Sequence, residues 1–316
     1  MIESIIETLR KYKLSYQVFN FFKKSKLVYN VPLYKKYKLK KRYFSSISSV
    51  DFNGLESPPN IYDSKDSRVE LPNNPAFRSL KEKIKPQLLP WTKDGYAILN
   101  NFFSEEKIDD INKELEDLRI NGDIKFKNEK KVMFAIHKSK VLNDFGNDLE
   151  LNKILNILLG KSVKLFQSIN FLKGSQQKAH SDSLHMTTFP YGNLIAVWIA
   201  LEDINEECGP IEYYPKSHKL PYVLNQEYKN IGSRCKLGAK SYGYYEEHIE
   251  DLLVKGNLEK KTFVAKKGDI LIWHANLLHG GAKVINPKST RKSMVFHYFA
   301  DDAICFHEIA QRPALI

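Results

Sequence analysis

An uninterrupted apolar stretch near the middle of the chain predicts the centre of the fold. Every residue in 194–201 is apolar, and β-branched residues recur through the stretch. This pattern is typical of a strand that is buried on both faces. Further short strands are predicted at 162–173, 211–218, 268–274 and 291–299, with Gly and Pro in the turns between them. We therefore expect a mainly β fold with flanking helices, a double-stranded β-helix of the jelly-roll or cupin-like type, rather than alternating strands and helices.

Two helices are predicted beside these strands. Ser104 is a favourable N-cap, and the acidic residues at 105 and 106 favour the positive end of a helix dipole. The apolar stripe of this helix, which we expect to cover an outer face of the barrel, consists of Ile108, Ile111, Leu115 and Leu118. A second helix is predicted over 149–159, and Gly160 is expected to end it.

The composition is that of an ordinary globular protein. The chain has 316 residues, of which 42% are hydrophobic, so it can bury a sizeable core. Its three cysteines are far apart and form neither a disulfide framework nor a zinc-binding pattern, which favours a reducing compartment. We find no run of about 20 apolar residues that could span a membrane and no secretory signal. These features predict a cytoplasmic location.

The net charge of +12 is concentrated at the N-terminus. Residues 1–50 contain twelve Lys and Arg but only two acidic residues, whereas the other 266 residues are close to neutral. This contrast predicts a basic amphipathic extension at 1–50. The Ser-rich stretch 45–49 and the Pro-rich stretch near Pro58 and Pro59 indicate a linker, which is expected at 51–74, and a barrel domain is expected at 75–316. The tyrosine- and glycine-rich segment 219–262 is predicted to be an insertion that covers the substrate. The alternative is a surface excursion with a short helix at 246–254.

Two interpretations of the basic extension remain open at this point. Apolar residues occur at helical spacing among the lysines, namely Ile2, Ile5, Ile6, Leu9, Tyr16 and Phe19. Residues 1–42 would accordingly contact anionic lipid as a peripheral anchor at the inner face of the membrane. Alternatively, the extension packs on the barrel and leaves a solvated basic face. Nucleic-acid binding is disfavoured because no recognisable binding motif accompanies the basic residues.

Two histidines and an aspartate form a candidate metal site. His180 and Asp182 are two residues apart, so they project from the same face of an extended strand. His279, from a distant strand, would complete a set of two histidines and one carboxylate. That set leaves three metal positions open, as a non-haem Fe(II) oxygenase requires. Arg291 offers a bidentate partner for the carboxylate of a keto-acid co-substrate. A surface histidine beside a solvated aspartate is the alternative explanation of the first pair.

Four stretches of the chain resemble the phytanoyl-CoA dioxygenase family of Fe(II)/2-oxoglutarate oxygenases. They are 94–104, 180–182, 197–218 and 268–291, and the resemblance extends over residues 91–300. By this resemblance His180, Asp182 and His279 bind iron, and Arg291 binds the far carboxylate of 2-oxoglutarate. Members of the family often carry a hydroxyl residue two positions after the second histidine, where this chain has Gly281. The substitution removes one hydrogen bond to the co-substrate.

Other residues are predicted to line the site. Gln167 and Lys173 share a strand face and are expected to reach the co-substrate, although packing roles are an alternative. His185 is expected at the mouth of the pocket rather than as a fourth ligand, since a filled position would block oxygen. His297 is expected inside the barrel. The other predicted pocket residues are Trp198, Tyr242 and Tyr244.

The resemblance implies a dioxygenase that consumes O2 and 2-oxoglutarate and releases succinate and CO2. We expect it to hydroxylate an unactivated C–H bond of a small-molecule, lipid or glycan-linked substrate. Asp182 favours hydroxylation, because similar halogenating enzymes carry Ala or Gly at that position. Desaturation and ring closure remain alternatives within the family. A different class of function is a catalytically inactive jelly roll that binds a membrane or a partner through its basic arm.

Overall fold

The computed structural model describes residues 8–316. The strands in this range are β1 (Tyr96–Leu99), β2 (Lys131–Met133), β3 (Val163–Phe171), β4 (Thr187–Phe189), β5 (Leu194–Ala200), β6 (Ile211–Tyr213), β7 (Lys261–Phe263), β8 (Ile270–His274), β9 (His279–Gly281), β10 (Ser293–Ala300), β11 (Ile304–His307) and β12 (Arg312–Pro313).

These strands form three antiparallel sheets. The largest has six strands in the order β1-β8-β5-β10-β3-β2, and the two smaller sheets have the orders β7-β6-β9 and β12-β11-β4. Tyr213 of β6 and Phe263 of β7 pack against Trp198 of β5, so this small sheet faces the large one across a buried layer. Cys305 of β11 packs with Phe166 and Phe299 of the large sheet in the same way. The predicted double-sheet jelly roll is confirmed.

Helices cover the outside of the large sheet and fill the N-terminal region. In chain order they are α1 (Lys13–Phe22), α2 (Val31–Lys36), α3 (Ile61–Ser64), α4 (Ser67–Glu70), α5 (Pro75–Arg78), α6 (Lys85–Leu88), α7 (Trp91–Asp94), α8 (Glu105–Ile120), α9 (Lys140–Gly146), α10 (Leu149–Leu159) and α11 (Tyr242–Gly256). Short 3-10 turns occur at Lys24–Asn30, Ser49–Phe52, Leu71–Asn73, Ala135–His137, Asp182–Leu184, Glu206–Cys208 and Ser217–Lys219.

The central strand β5 is buried on both faces, as the sequence predicts. Ile195, Val197 and Ile199 pack with the inner faces of α8 and α10 in the largest apolar cluster. Ala196 and Trp198 point to the opposite side, into the layer between the sheets. Successive side chains of a strand alternate between faces, and both faces are covered here, so the strand has no polar positions. Each large apolar side chain buried in this way contributes about 1.5–3 kcal/mol.

The two predicted helices are confirmed with their capping residues. Ser104 Oγ accepts a hydrogen bond from the backbone N–H of Lys107 at the start of α8, and the predicted apolar stripe of this helix is buried. Asp148 caps α10 in the same way by accepting from two backbone N–H groups. This helix ends at Gly160, whose left-handed backbone (φ of 68°) suits glycine.

Residues 51–74, predicted as a linker, are folded instead. Phe52 stacks on Phe189 of β4 with ring centroids 4.1 Å apart. Tyr62 and Leu71 are buried in the largest apolar cluster. Polar residues dominate the composition of this segment, but a few regularly placed large side chains fix it to the barrel. Between these contacts the segment forms single helical turns. The side chains that cap these turns accept hydrogen bonds from backbone N–H groups, and they belong to Asn60, Asp66 and Asn74.

The described part of the basic extension packs on the barrel from about residue 27 onward. Leu33, Tyr34 and Ile47 form a cluster with Phe306 of β11. The preceding helix α1 buries Asn20, whose amide donates to the carbonyl of Phe44, but exposes large apolar side chains on its outer side. The predicted helical positions Ile2, Ile5 and Ile6 lie outside the described residues. Within 8–316 no helix is long and apolar enough to cross a membrane.

Candidate metal centre

The backbones of His180 and His279 are hydrogen-bonded to each other. The N–H of each residue donates to the carbonyl of the other, with both N···O distances at 2.9 Å. His279 begins β9, whereas His180 forms an isolated bridge beside it, and Asp182 already belongs to a 3-10 turn. The expected strand at 180–182 is therefore reduced to this one bridge. The structure nevertheless brings the three side chains together.

The three side chains form a compact, buried group of potential ligands. One ligand atom from each of His180, Asp182 and His279 lies within 4.8 Å of the other two. Nδ1 of His180 lies 2.9 Å from the carbonyl oxygen of Lys178, and Nδ1 of His279 lies 2.9 Å from that of Leu277. A carbonyl can only accept, so each Nδ1 carries the proton and each Nε2 offers a lone pair. This is the tautomer that a metal-binding histidine needs.

The carboxylate of Asp182 is held through one oxygen. Trp273 Nε1 donates a 2.8 Å hydrogen bond to Oδ2, and His297 Nε2 lies 3.5 Å from the same atom. The other oxygen, Oδ1, lies 3.8 Å from His279 Nε2. Two partners on Oδ2 leave Oδ1 directed toward the histidines, which suits a carboxylate that binds a metal through one oxygen.

The protonation states of the group also suit a metal. Burial alone would raise the pKa of Asp182, but the adjacent imidazoles of His279 and His297 hold it well below its usual value. Burial, together with the nearby His279, lowers the pKa of His180 to about 3. An ionised carboxylate beside a neutral imidazole is the form in which both groups bind metals. The donor set thus fits Fe(II) with three open positions.

A buried arginine lies in the same cavity. This cavity has a volume of about 80 Å³, and its lining includes the three potential ligands together with Arg291, Trp198 and His297. The guanidinium of Arg291 donates to Ser293 Oγ at 2.9 Å and lies over the ring of Phe171, at 4.9 Å from the centroid. Its Nε has no partner among the residues described. Burial lowers the pKa of Arg291 to about 10.

A buried cation of this kind is costly unless an anion accompanies it. Arg291 has 3% of its surface exposed. No carboxylate in residues 8–316 forms an ion pair with it within 4.0 Å. The free donor and the open cavity beside it can therefore accommodate the carboxylate of a small molecule. A planar guanidinium is suited to bind such a group with two hydrogen bonds.

The two residues predicted to assist Arg291 lie elsewhere. Lys173 points outward, and its amine donates to the carbonyl of Pro287 at 3.2 Å, so the prediction that it reaches the co-substrate is wrong. Gln167 is buried, but its amide nitrogen lies 3.4 Å from His297 Nδ1 and 3.4 Å from Met186 Sδ. Strand alternation places Gln167 on the correct face, while its position along β3 places it on the far side of His297.

Two of the predicted pocket residues, Tyr242 and Tyr244, belong to α11 but lie on different sides of this helix. His185 Nε2 lies 3.2 Å from the hydroxyl of Tyr242, and the ring of His185 lies 6.0 Å from that of His180, outside the ligand group. Tyr244 is 50% exposed and lies under the amine of Lys240, so its assignment to the pocket is wrong. A helix turns by about 100° per residue, so two residues of separation carry the second tyrosine to the solvent side.

Helix α11 is attached to the metal centre through a tyrosine that the sequence does not single out. Tyr245 is fully buried, and its hydroxyl accepts a 2.8 Å hydrogen bond from the backbone N–H of Ser181, the residue between His180 and Asp182. Trp273 was also missed as a partner of Asp182. The sequence could have predicted its direction, because alternation along the strand 268–274 places Trp273 on the same face as Leu271, which points into the layer between the sheets.

Steric crowding explains why position 281 is a glycine. A Cβ at this position would lie 2.5 Å from Ser175 Oγ and 2.9 Å from the backbone nitrogen of Gln176. The neighbouring loop therefore occupies the space that a side chain at position 281 would need. Restoring that side chain would require the loop at 175–176 to move.

The sequence profile of the family described as Phytanoyl-CoA dioxygenase (PhyH) matches residues 91–293. This chain belongs to that family. Among its relatives, ectoine dioxygenase of Nocardia farcinica (strain IFM 10152) is 25% identical over 224 residues, covering 64% of this chain and 73% of the relative. Ectoine dioxygenase of Stutzerimonas stutzeri (strain A1501) is 26% identical over 281 residues, covering 79% and 86%.

Solved structures of the same fold are similar to this PhyH-family chain. The carbocyclase SnoK of nogalamycin biosynthesis, described as non-haem and α-ketoglutarate-dependent, has a TM-score of 0.58 at 17% identity and covers 72% of this chain and 87% of its own. EctD from S. alaskensis with 2-oxoglutarate and 5-hydroxyectoine has a TM-score of 0.53 at 20% identity, covering 68% and 75%.

The predicted family and reaction class are confirmed by the comparisons. The chain is a non-haem iron dioxygenase that depends on 2-oxoglutarate, and its cofactors are Fe(II), 2-oxoglutarate and O2. The matched region begins at residue 91 and ends at 293. The N-terminal 90 residues and the last strands of the barrel therefore lie outside it.

Proposed function

We propose that His180 Nε2, Asp182 Oδ1 and His279 Nε2 bind Fe(II) and that Arg291 binds the far carboxylate of 2-oxoglutarate. The observation that carries this proposal is the buried guanidinium of Arg291, which shares one cavity with the three potential ligands and lacks an ion-pair partner within residues 8–316. In a jelly roll that binds no anion, this buried cation would be destabilising. A dicarboxylate that reaches from metal to arginine satisfies both features.

The reaction that we propose is hydroxylation of an unactivated C–H bond. Iron and 2-oxoglutarate, when bound, supply with O2 the oxidising power that converts C–H to C–OH and 2-oxoglutarate to succinate and CO2. The residues of the chain orient the proposed iron ligands and shield the site from water. Trp273 and His297 fix the carboxylate of Asp182, and the aromatic surfaces of Phe171 and Trp198 exclude water around Arg291. The ectoine dioxygenases among the relatives support a small-molecule substrate.

An anaerobic titration of the protein with Fe(II) and 2-oxoglutarate tests the site. The wild type should develop the visible charge-transfer band of the iron chelate. His279→Ala should not, whereas His248→Ala, a half-buried histidine of α11, should behave as the wild type. Asp182→Ala should abolish succinate formation. A folded wild-type protein without the band would refute the site and favour an inactive binding protein.

We also propose that α1 contacts anionic lipid. Its outer side exposes Leu14 (66%), Val18 (50%), Phe21 (47%) and Phe22 (77%), which are spaced as one face of a helix. Lys23 and Lys24 follow directly, and no acidic residue occurs between positions 8 and 50. Apolar side chains that enter the interface while lysines remain with anionic headgroups would account for both features.

Point substitutions test lipid contact better than deletion of the extension, because deletion would also remove Leu33 and Ile47 from a buried cluster. The double change Leu14→Ser and Phe22→Ser should reduce sedimentation with phosphatidylglycerol vesicles by about tenfold or more. Val254→Ser, at a 76% exposed position of α11, is the matched control. Equal sedimentation of wild type and double variant would refute the anchor.

A further inference from the structure

A second and larger cavity lies beside the metal centre. Its volume is about 380 Å³, within the usual range for small-molecule sites. The lining is mostly aromatic and aliphatic, with Phe134, Phe166, Met186 and Phe306 on its walls. Its lining residues are distinct from those of the metal-centre cavity.

Much of this cavity is built by segments outside the family match. Phe19 and Lys26 come from the basic extension, and residues 305–307 and 312–315 come from the last strands and the tail. The tail and the extension are joined directly, since the hydroxyl of Tyr29 donates to the carbonyl of Ala314 at 2.7 Å. The ligand of this cavity is accordingly a property of this chain rather than of the matched domain.

Two side chains in series, Gln167 and His297, separate the cavity from the carboxylate of Asp182. Gln167 lines the cavity and touches His297, and His297 in turn lies 3.5 Å from Asp182 Oδ2. The two contacts of the Gln167 amide nitrogen are both 3.4 Å long, one of them to the sulfur of Met186. The contact to His297 is long for a hydrogen bond between nitrogens, and a thioether sulfur is a weak acceptor, so an apolar group can displace this side chain at low cost. The far end of a ligand would then reach His297, the neighbour of Asp182.

The cavity has cationic groups at its rim and no carboxylate in its lining. Lys26 and Arg312 both line it, and neither forms an ion pair in the part of the chain that the structure describes. Burial lowers the pKa of both His137 and His307, and nearby basic groups lower it further, Lys26 in the first case and His185 and Arg312 in the second. The walls therefore combine an apolar surface with unpaired positive charge.

We propose that this second cavity binds an apolar molecule that carries one anionic group, and, given the iron site proposed above, that this molecule is the substrate. Lys26 and Arg312 pair with the anionic group at the rim. The apolar body lies against Phe134, Phe166 and Phe306, and its far end reaches past Gln167 toward Asp182. A carboxylate and a phosphate ester would both satisfy the cations. A neutral sugar would leave them unpaired.

Calorimetry with ten-carbon probes tests the chemical class. The protein loaded with Ni(II) and 2-oxoglutarate is titrated with decanoate, decyl phosphate, decan-1-ol and decyltrimethylammonium. The two anions should bind about tenfold or more tightly than the alcohol, since a charged hydrogen bond contributes roughly 1.5–3 kcal/mol. The cation should bind most weakly. Whichever anion binds more tightly identifies a carboxylate or a phosphate head. Equal affinity for anion and alcohol would overturn the proposal.

Substitutions of the lining residues test whether the probes bind in the second cavity. Lys26→Gln should reduce decanoate affinity about tenfold and leave decan-1-ol unchanged, whereas the exposed Lys138→Gln, next to the cavity residue His137, should change neither. Phe19→Ala should weaken both probes. Decanoate binding that survives Lys26→Gln undiminished would place the probe elsewhere and contradict the assignment.

Paramagnetic relaxation separates this inference from the iron site. With Mn(II) in place of Ni(II), the terminal methyl protons of bound decanoate should relax faster than those beside its carboxylate. Electron paramagnetic resonance of the same sample reports independently whether Mn(II) is bound. Bound manganese with uniformly slow probe relaxation would refute this orientation alone, while unbound manganese would refute the metal site.

Discussion

The indole Nε1 of Trp273 donates a 2.8 Å hydrogen bond to Oδ2 of Asp182. Both side chains are buried, and Trp273 belongs to β8 while Asp182 follows the bridge at His180. The large sheet thereby determines the direction of a carboxylate that lies outside every regular strand. The free oxygen of Asp182 faces His279 as a consequence.

Trp273→Phe should lower metal affinity about 10–100-fold while the fold is retained, because it removes a hydrogen bond that orients a ligand. The apparent Kd for Co(II), followed by visible absorption, measures this. Trp198→Phe is a matched control, since Trp198 lines the same cavity but its Nε1 has no partner in residues 8–316. Similar metal affinity in both variants would show that the bond has no orienting role.

Arg291→Lys should raise the KM for 2-oxoglutarate about tenfold, and Arg291→Gln about 100-fold, because lysine keeps the charge but loses the planar pair of donors. Succinate formation at saturating iron measures both constants. Lys292→Gln, the adjacent half-buried residue, should leave KM unchanged. If Arg291→Gln retained the wild-type KM, another group would have to bind the far carboxylate.

Tyr245→Phe should destabilise the protein by about 1–3 kcal/mol, since it leaves the buried N–H of Ser181 without an acceptor. Urea unfolding measures the loss. Tyr244→Phe, on the exposed side of the same helix, should have no effect on stability. Hydrogen exchange of the Ser181 amide should also accelerate in the first variant. An unchanged exchange rate would show that α11 does not restrain the metal centre.

Stability should fall as the pH decreases below 6.5, partly through His307. Its Nδ1 accepts from the N–H of Ala310, and burial lowers its pKa from 6.5 to about 3, so the folded state keeps it neutral. A lowered pKa means that the unfolded chain binds the proton first, and stability is lost as the pH falls between the two values.

The loss from His307 should be about 1.4 kcal/mol between about pH 7.5 and about pH 5.5. His307→Asn, whose Oδ1 can accept from Ala310, should remove this part of the pH dependence. Urea unfolding at both pH values measures the difference. His248→Asn should retain the full wild-type slope. An identical slope in His307→Asn would indicate that His307 is charged in the folded protein.

Local sequence patterns identified the centre of the fold. The apolar run at 194–201 and the capped helices α8 and α10 were predictable because local pattern and burial agree there. The grouping of His180, Asp182 and His279 was also accessible, since strand geometry restricts where such residues meet.

Other parts depended on contacts between distant segments. Residues 51–74 have the composition of a linker but are fixed by Phe52, Tyr62 and Leu71. The outward direction of Lys173 depends on Pro287, more than a hundred positions away. The second cavity is least predictable, because its walls come from both ends of the chain and no local pattern marks them.

The mutual backbone hydrogen bonds of His180 and His279 have a practical consequence for handling the enzyme. Because main-chain atoms already hold these two side chains side by side, the protein should not need its ion in order to fold. Chelation should then be reversible, and a preparation that has lost iron through air oxidation should recover when fresh ferrous salt is added. The same rigidity offers little discrimination between divalent ions of similar size, so the ion found after purification would reflect the growth medium as much as the protein.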